Sequence, residues 1–302
     1  MYLFHLFRSF LPLRNPIGFG ASDFVAFAIA ALLVLIVLSW AAIQPYAPRL
    51  AHRPAWCMLV LGMLPILLRV GLLIHSPVPM PSGSDDFGYL LLADTLSHFR
   101  LANPTHPMHR FFETIFVLQE PAYSSMYPLG QGLVLAFGQI VFRNPWAGVL
   151  LSVGTFCALC YWTLRAWIRP EWALLGGLLA VFEFGPLSYW MNCYWGGAVS
   201  ASAGCIVFGS LPRLCDRGRL RYAALLGIGI AIQLLSRPYE STLLLLSVIL
   251  FFVFALRFAA QRRIVFRAAP IIVLAVLPAA VLTLLQNKAV TGSWTTLPYV
   301  LN

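Results

Sequence analysis

The chain has 302 residues, of which 60% are apolar and only 10% charged, against roughly 45–50% and about 25% in soluble globular domains. Its 20 Lys+Arg against 10 Asp+Glu give a formal charge of +10, and in so apolar a chain that excess reads as the loop ends of membrane helices. Composition therefore excludes a water-soluble enzyme, argues against a nucleic-acid partner, and points to a lipid bilayer as the surroundings.

The first residues, MYLFHLFRSFLPLRNP, hold an apolar stretch too short to span and no small-residue cleavage site, so no cleaved signal peptide is read. Crossing the roughly 30 Å hydrocarbon core takes about 20 apolar residues. Runs of that order predict eight spans, at 24–43, 56–74, 146–164, 172–190, 198–212, 222–236, 241–256 and 268–286. The runs at 198–212, 222–236 and 241–256 are short, which predicts outer ends below the interface and a water-filled notch above them. Arg69 falls inside the second span and is expected to snorkel or pair, whereas Glu183 has no assigned role. The six cysteines lie mostly in apolar runs and imply neither a disulfide framework nor a zinc site.

A ninth run, Tyr127 to Phe142, holds Gly130, Gln131, Gly132, Gly138 and Gln139 and decides the topology. If it does not cross, Arg49 and Arg53, Arg165 and Arg169, and the arginines of 213–221 and 257–267 share one side, which the positive-inside bias makes cytoplasmic. It is therefore read as a helix lying at the outer interface or tucked against the bundle, and residues 75–145 become one long outer segment. Helix connections in bundles commonly take roughly 2–8 residues, so a segment of this length with half of the acids is where function is sought.

Within it, Asp85 and Asp86 follow the prolines 77, 79 and 81, and Tyr89, Leu90, Leu91, Ala93, Leu96 and Phe99 predict a short amphipathic helix. Asp85 or Asp86 could cap that helix; one cap leaves the other carboxylate for general-base chemistry or for a metal beside a phosphate. Further along come His106, His109, Arg110, Glu113, Glu120, Tyr123 and Tyr127. His106, His109 and Glu120 with the Asp pair could bind a divalent metal, although the spacing matches no standard zinc signature. Arg100 and Arg110 suit a phosphate or a lipid headgroup.

After the 172–190 span, Asn192, Tyr194 and Trp195 form either an aromatic interfacial belt or faces for a sugar ring or isoprenoid chain. Arg237 and Glu240, in the turn between two spans, are either an ion pair closing the turn or a phosphate-binding cation with its support. The chain then returns polar through Gln286-Asn287-Lys288 and Thr291-Gly292 to Pro298-Tyr299.

One span feeding a loop that opens with Asp85-Asp86 and Tyr89, then Glu120-Pro121 and Tyr127-Pro128 before a juxtamembrane helix, then hairpin spans with Arg-rich loops and the Asn287, Thr291, Gly292, Pro298, Tyr299 segment, resembles the GT-C superfamily of polytopic glycosyltransferases. Protein O-mannosyltransferases, lipid A aminoarabinose transferases and the RgtA/B/C/D-like bacterial group belong to it. The resemblance implies an all-α membrane protein, a polytopic bundle of about eight transmembrane helices whose 75–145 loop carries juxtamembrane helices. It further implies transfer of a sugar from a polyprenyl-phosphate donor to an envelope glycan, lipid or protein acceptor, on the outer face of the bacterial inner membrane and with inversion. The acid that opens the loop, Asp85 in preference to Asp86, would be the general base, and Glu120 a second acid supporting the acceptor or a divalent metal, the one candidate cofactor. Tyr89, His106, His109, Arg110, Tyr123, Tyr127, Asn192, Tyr194, Trp195 and Glu240 would contact substrate, and Arg237 the donor phosphate. The chain departs from many members in its extra first span and in lacking later spans and a soluble C-terminal domain, so residues 1–302 are read as one transmembrane domain. The competing readings are a transporter or flippase of lipid-linked sugars, whose expected inverted repeat is not evident, and a truncated non-catalytic member.

Overall fold

The computed structural model describes residues 51–301 and scattered positions between 27 and 39; most of the predicted 24–43 span, with Arg8, Arg14 and Arg49, lies outside the described residues. The helices are α1 (Pro54–Gly71), α2 (Ser84–Ser97), α3 (Leu129–Phe142), α4 (Pro145–Leu164), α5 (Pro170–Phe184), α6 (Ala198–Arg217), α7 (Leu220–Ser236), α8 (Pro238–Ala255) and α9 (Ala259–Thr291). Sheet is confined, among the described residues, to β1 (Val117–Leu118) and β2 (Ser124–Ser125), antiparallel with Val117 opposite Ser125. α1, α4, α6, α8 and α9 are long and apolar enough to cross a membrane, so the protein is a helical membrane protein. Four of the nine helices begin with proline, whose missing N–H belongs to the first turn, where no intrahelical partner exists.

The bundle has two chemically different ends. At one, the Tyr161 hydroxyl donates to the Ala51 carbonyl (2.7 Å), Glu171 meets His52 and Arg169, and Arg213 donates to the Trp162 carbonyl. Leu214, Tyr222, Ala223 and Ala268 cluster with Ile264 at that same end, so the arginine-rich connections around 53, 165–171, 213–221 and 257–267 gather there. At the other end lie residues 76–86, 127–131, 186–197, 236–240 and 286–299, linked by the contacts described below.

α3 begins beside Tyr194, to whose carbonyl Gln131 donates (2.8 Å), and Gly130 sits against Ser236. It ends where Arg143 turns left-handed (φ 54°) and Asn144 caps α4, whose Trp146 indole donates to the Met191 carbonyl (2.8 Å). Both ends of α3 are thus at the second end of the bundle, and the helix is tucked against α2 and the first turns of α4. The α3–α4 crossing is backbone on backbone: a Cβ on Gly148 would lie 2.2 Å from the Val134 carbonyl oxygen. Gly148→Ala is accordingly expected to destabilise the protein by about 1–3 kcal/mol, read as a lower melting temperature in detergent.

Three predicted spans have different bounds. The run 172–190 is interrupted: α5 stops at Phe184, and a bend at Gly185-Pro186 leads to the single turn Tyr189–Asn192, since a residue before proline disfavours helix. Conversely α6 continues through Pro212 to Arg217. The carbonyl that proline leaves without a donor, that of Phe208, is taken by the Trp167 indole (3.0 Å), and Arg213 donates back to the Gly209 carbonyl (2.6 Å). α6 and α8, at 20 and 18 residues, are longer than the predicted runs, whereas α7, at 17 residues, remains a short helix as predicted. α9 likewise extends well past 268–286, running through Pro270 and Pro278.

Candidate functional site

The two adjacent aspartates do different work. α2 starts after Gly83, and Asp86, in its third position, turns back so that Oδ2 accepts from the Ser82 and Gly83 N–H groups (3.1 and 3.4 Å). Its Oδ1 accepts from the Tyr194 N–H (2.8 Å), and the side chain is 2% exposed. Asp86 is therefore the cap, and also the tie between α2 and the 192–197 segment.

Asp85, half-buried, accepts on Oδ1 the hydroxyl of Tyr127, while Oδ2 has no hydrogen-bond partner among the described residues. Tyr127 stacks on Tyr89 (ring centroids 4.0 Å, planes 12° apart), and Gly88 makes room, since a Cβ there would meet the Tyr127 ring at 2.8 Å. Tyr299 stands edge-on to Tyr127 at 6.2 Å and Tyr239 beside Tyr299 at 6.2 Å. Gln286, on the last turns of α9, donates to the Tyr127 carbonyl (2.9 Å) and holds this residue in place.

Four separate pieces of sequence thus meet: the start of α2, Tyr127, the α7–α8 turn and the turn Pro298–Val300. Arg237 and Glu240 face this cluster. Their charges, with that of Asp85, all act on Tyr89 and Tyr299, Arg237 favouring the phenolates and the two acids opposing them. Burial is the larger effect; it lifts Tyr89 above the ordinary phenol range and Tyr299 to about 12. Tyr127 is lifted as well, by burial and then by its bond to Asp85. At neutral pH all three are therefore neutral O–H donors around one carboxylate. Arg237 and Glu240 form a 3.5 Å ion pair with side chains 41% and 53% exposed. Such an exposed pair is weak, which leaves the guanidinium able to exchange Glu240 for an anion.

The aromatic segment is spent on architecture. Asn192 accepts from Arg69 Nε (2.8 Å) and donates to the Pro186 and Ser188 carbonyls (3.0 and 2.7 Å), which uses both its amide groups. Arg69, 1% exposed, also donates to the Ser76 and Pro77 carbonyls (both 2.9 Å) and lies 4.8 Å over the Trp146 ring. It pairs with neutral oxygens and an aromatic face rather than snorkelling. Tyr194 donates its hydroxyl to the Pro79 carbonyl (2.9 Å), and Trp195 stacks on Tyr189 at 5.4 Å. Together these residues anchor the segment 76–79 that delivers Asp85, so the structure gives Asn192 and Tyr194 a positioning role.

The remaining candidates stand apart from Asp85. His109 Nε2 pairs with Glu120 Oε1 at 2.9 Å, and His106 packs edge-on against Phe112 at 5.4 Å. Arg110 is exposed in a short 3-10 turn, and Tyr123 pairs its backbone with Asn103. Among the described residues no three His, Cys, Asp or Glu side chains gather as a metal site would require, so His106, His109, Glu120 and the Asp pair are not brought to one point. Glu183 lines a cavity of about 440 Å³ with Ala30, Cys160, Thr163 and Cys205. Tyr239 was given no role by the sequence and Tyr299 only a place in the family-like motif; their one signal is that each follows a proline that opens a helical turn at the polar end of the bundle.

Neither the family models nor the curated proteins nor the solved structures compared with this chain give a match.

Proposed function

We propose that the protein is a membrane glycosyltransferase of GT-C type, moving a sugar from a polyprenyl-phosphate donor to an envelope acceptor on the extracytoplasmic side of the bacterial inner membrane. The observation that carries this reading is Asp85: a carboxylate with one oxygen fixed by Tyr127 and the other open, in a tyrosine cluster that the displaceable cation Arg237 also faces. In the reaction Asp85 Oδ2 takes the proton of an acceptor hydroxyl or amine as that atom attacks the anomeric carbon; the bond from that carbon to the phosphate oxygen breaks, and polyprenyl phosphate leaves with its charge met by Arg237. A single displacement of this kind inverts the anomeric centre. The phenols of Tyr89 and Tyr299 supply hydrogen bonds to the sugar or phosphate without adding charge, while Tyr127 keeps its O–H on Asp85.

The topology in this reading has eight spans: one in the 24–43 run and seven formed by α1, α4, α5, α6, α7, α8 and α9. The gathering of the arginine-rich connections at one end supports placing that end in the cytoplasm and Asp85 outside. Single cysteines at the exposed positions Ser84, Glu113 and Arg219 test the arrangement. With a membrane-impermeant thiol reagent on intact cells, 84 and 113 are expected to label and 219 to stay unlabelled; labelling of 219 refutes the orientation. The reaction itself is tested by supplying membranes that contain the chain with polyprenyl-phosphate hexoses and pentoses and measuring free polyprenyl phosphate. Release above the level of Asp85→Asn membranes is expected, and no release with any donor overturns the enzyme reading.

A further inference from the structure

A cavity of about 1110 Å³ lies away from Asp85. It lies on the opposite face of α2, where Ser84, Phe87, Leu90, Leu91 and Asp94 line it, whereas Asp85, Gly88, Tyr89 and Leu92 turn toward Tyr127 and α3. The 100° step per residue puts these two sets on opposite sides of the helix. The far wall comes from the loop, with Thr105, His106, Phe112, Thr114 and Tyr123 among its residues. The volume slightly exceeds the roughly 300–1,000 Å³ of small-molecule sites.

We infer that this cavity binds a glycan without negative charge, uncharged or amine-bearing, and that it is the acceptor's docking site. The inference rests on the glycosyltransferase reading for the word acceptor, and on the cavity's own chemistry for the word glycan. Phe87 and Phe112 are each more than half exposed and present aromatic rings at the walls, which suit the apolar face of a sugar ring. Between them stand neutral hydrogen-bonding groups without internal partners: the side-chain hydroxyls of Ser84, Thr114 and Tyr123 make no hydrogen bond among the described residues. His106 accepts the Met108 N–H on Nδ1, so in its neutral form Nε2 carries the proton and donates. An isoprenoid or acyl chain in this space would pack on Leu90, Leu91, Ile115 and Val117 but strip water from these hydroxyls without replacing its hydrogen bonds, at about 1–3 kcal/mol for each one fully buried. No Lys or Arg lines the cavity and Asp94 does, so a phosphate-bearing ligand is disfavoured and an amino group is welcome. Ser82, Gly83 and Ser84 form the wall at the N-terminal end of α2, one residue from Asp85, so a chain seated here can pass its terminal sugar over that end to the carboxylate.

Binding is read by saturation-transfer NMR on the full detergent-solubilised chain, with mannotriose and the glucosamine dimer of chitosan as glycan probes, and glucose 6-phosphate and geraniol as anionic and isoprenoid probes. Both glycans are expected to receive saturation, the sugar phosphate and geraniol not. Phe87→Ala, at an exposed position the fold tolerates, is expected to weaken both glycans about tenfold, or about 1.4 kcal/mol. Thr114→Trp is expected to block the cavity from the other wall, and Asp94→Asn to weaken the amine probe alone. Absence of glycan saturation, saturation that survives both Phe87→Ala and Thr114→Trp, or preferential binding of geraniol or the sugar phosphate overturns the inference. Because the readout needs no turnover, the two readings fail separately: glycan binding in a chain that transfers no sugar leaves the cavity and removes the enzyme, and transfer without glycan binding here does the reverse.

Discussion

Asp85→Asn is expected to lower the turnover of sugar transfer by about 10²–10⁴-fold while leaving the melting temperature in detergent unchanged. The substitution is isosteric, keeps an oxygen for the Tyr127 hydroxyl, and removes only the ability to accept a proton at Oδ2. Its neighbour gives the opposite result. Asp86→Ala leaves the Ser82, Gly83 and Tyr194 N–H groups without their acceptor, and is expected to destabilise the protein by about 2–4 kcal/mol. Polyprenyl phosphate release and thermal unfolding, measured on both variants, separate the two roles. Turnover that survives Asp85→Asn removes the proposed general base, and an Asp86→Ala protein as stable as the parent removes the division of labour between the pair.

Arg69→Met is expected to be among the most destabilising single changes, at about 3–5 kcal/mol. Methionine matches the stem of the arginine, but it gives up the guanidinium's place over Trp146 and leaves three acceptors, Asn192 Oδ1 and the carbonyls of the exposed residues Ser76 and Pro77, without their donor. Removing a buried charge recovers some desolvation energy, which sets the estimate below the sum of three charge-assisted bonds. Thermal unfolding in detergent reads the effect, and activity at permissive temperature should fall as well, because the 76–79 segment that aims Asp85 loses its anchor. An unchanged melting temperature would show that water reaches those acceptors.

These expectations show how far local sequence carries. The helix bearing Asp85 was legible from its periodicity, and the logic that one acid suffices for a cap already separated the pair, because capping is a contact over three residues. The gathering of 165–171, 213–221 and 257–267 at one end was legible too, since charge bias acts on each loop independently. What was not legible depends on partners far apart in the chain. Pro212 reads as a helix end because proline removes a hydrogen bond, and nothing nearby announces that the Trp167 indole will serve the orphaned Phe208 carbonyl. Asn192 reads as a ligand for substrate because its partner Arg69 is 123 residues away. Tyr299 and Tyr239 are ordinary interfacial tyrosines until the α7–α8 turn and the tail meet over Tyr127.

The same 123-residue separation has a consequence for biogenesis. A ribosome adding about 5–20 residues per second takes roughly 6–25 s to pass from Arg69 to Asn192. Throughout that interval the guanidinium in α1 lacks the side-chain amide it finally holds, and Trp146 arrives only partway through. The early helix must therefore wait in the insertion machinery or at the lipid headgroups with its guanidinium held only by the nearby Ser76 and Pro77 carbonyls, and the segment carrying Asp85 lacks its tie to 186–197 until the turn Tyr189–Asn192 has emerged. Interrupting synthesis before that turn should yield a nascent chain whose first outer segment is open to protease, and releasing it just after should close that window in one step.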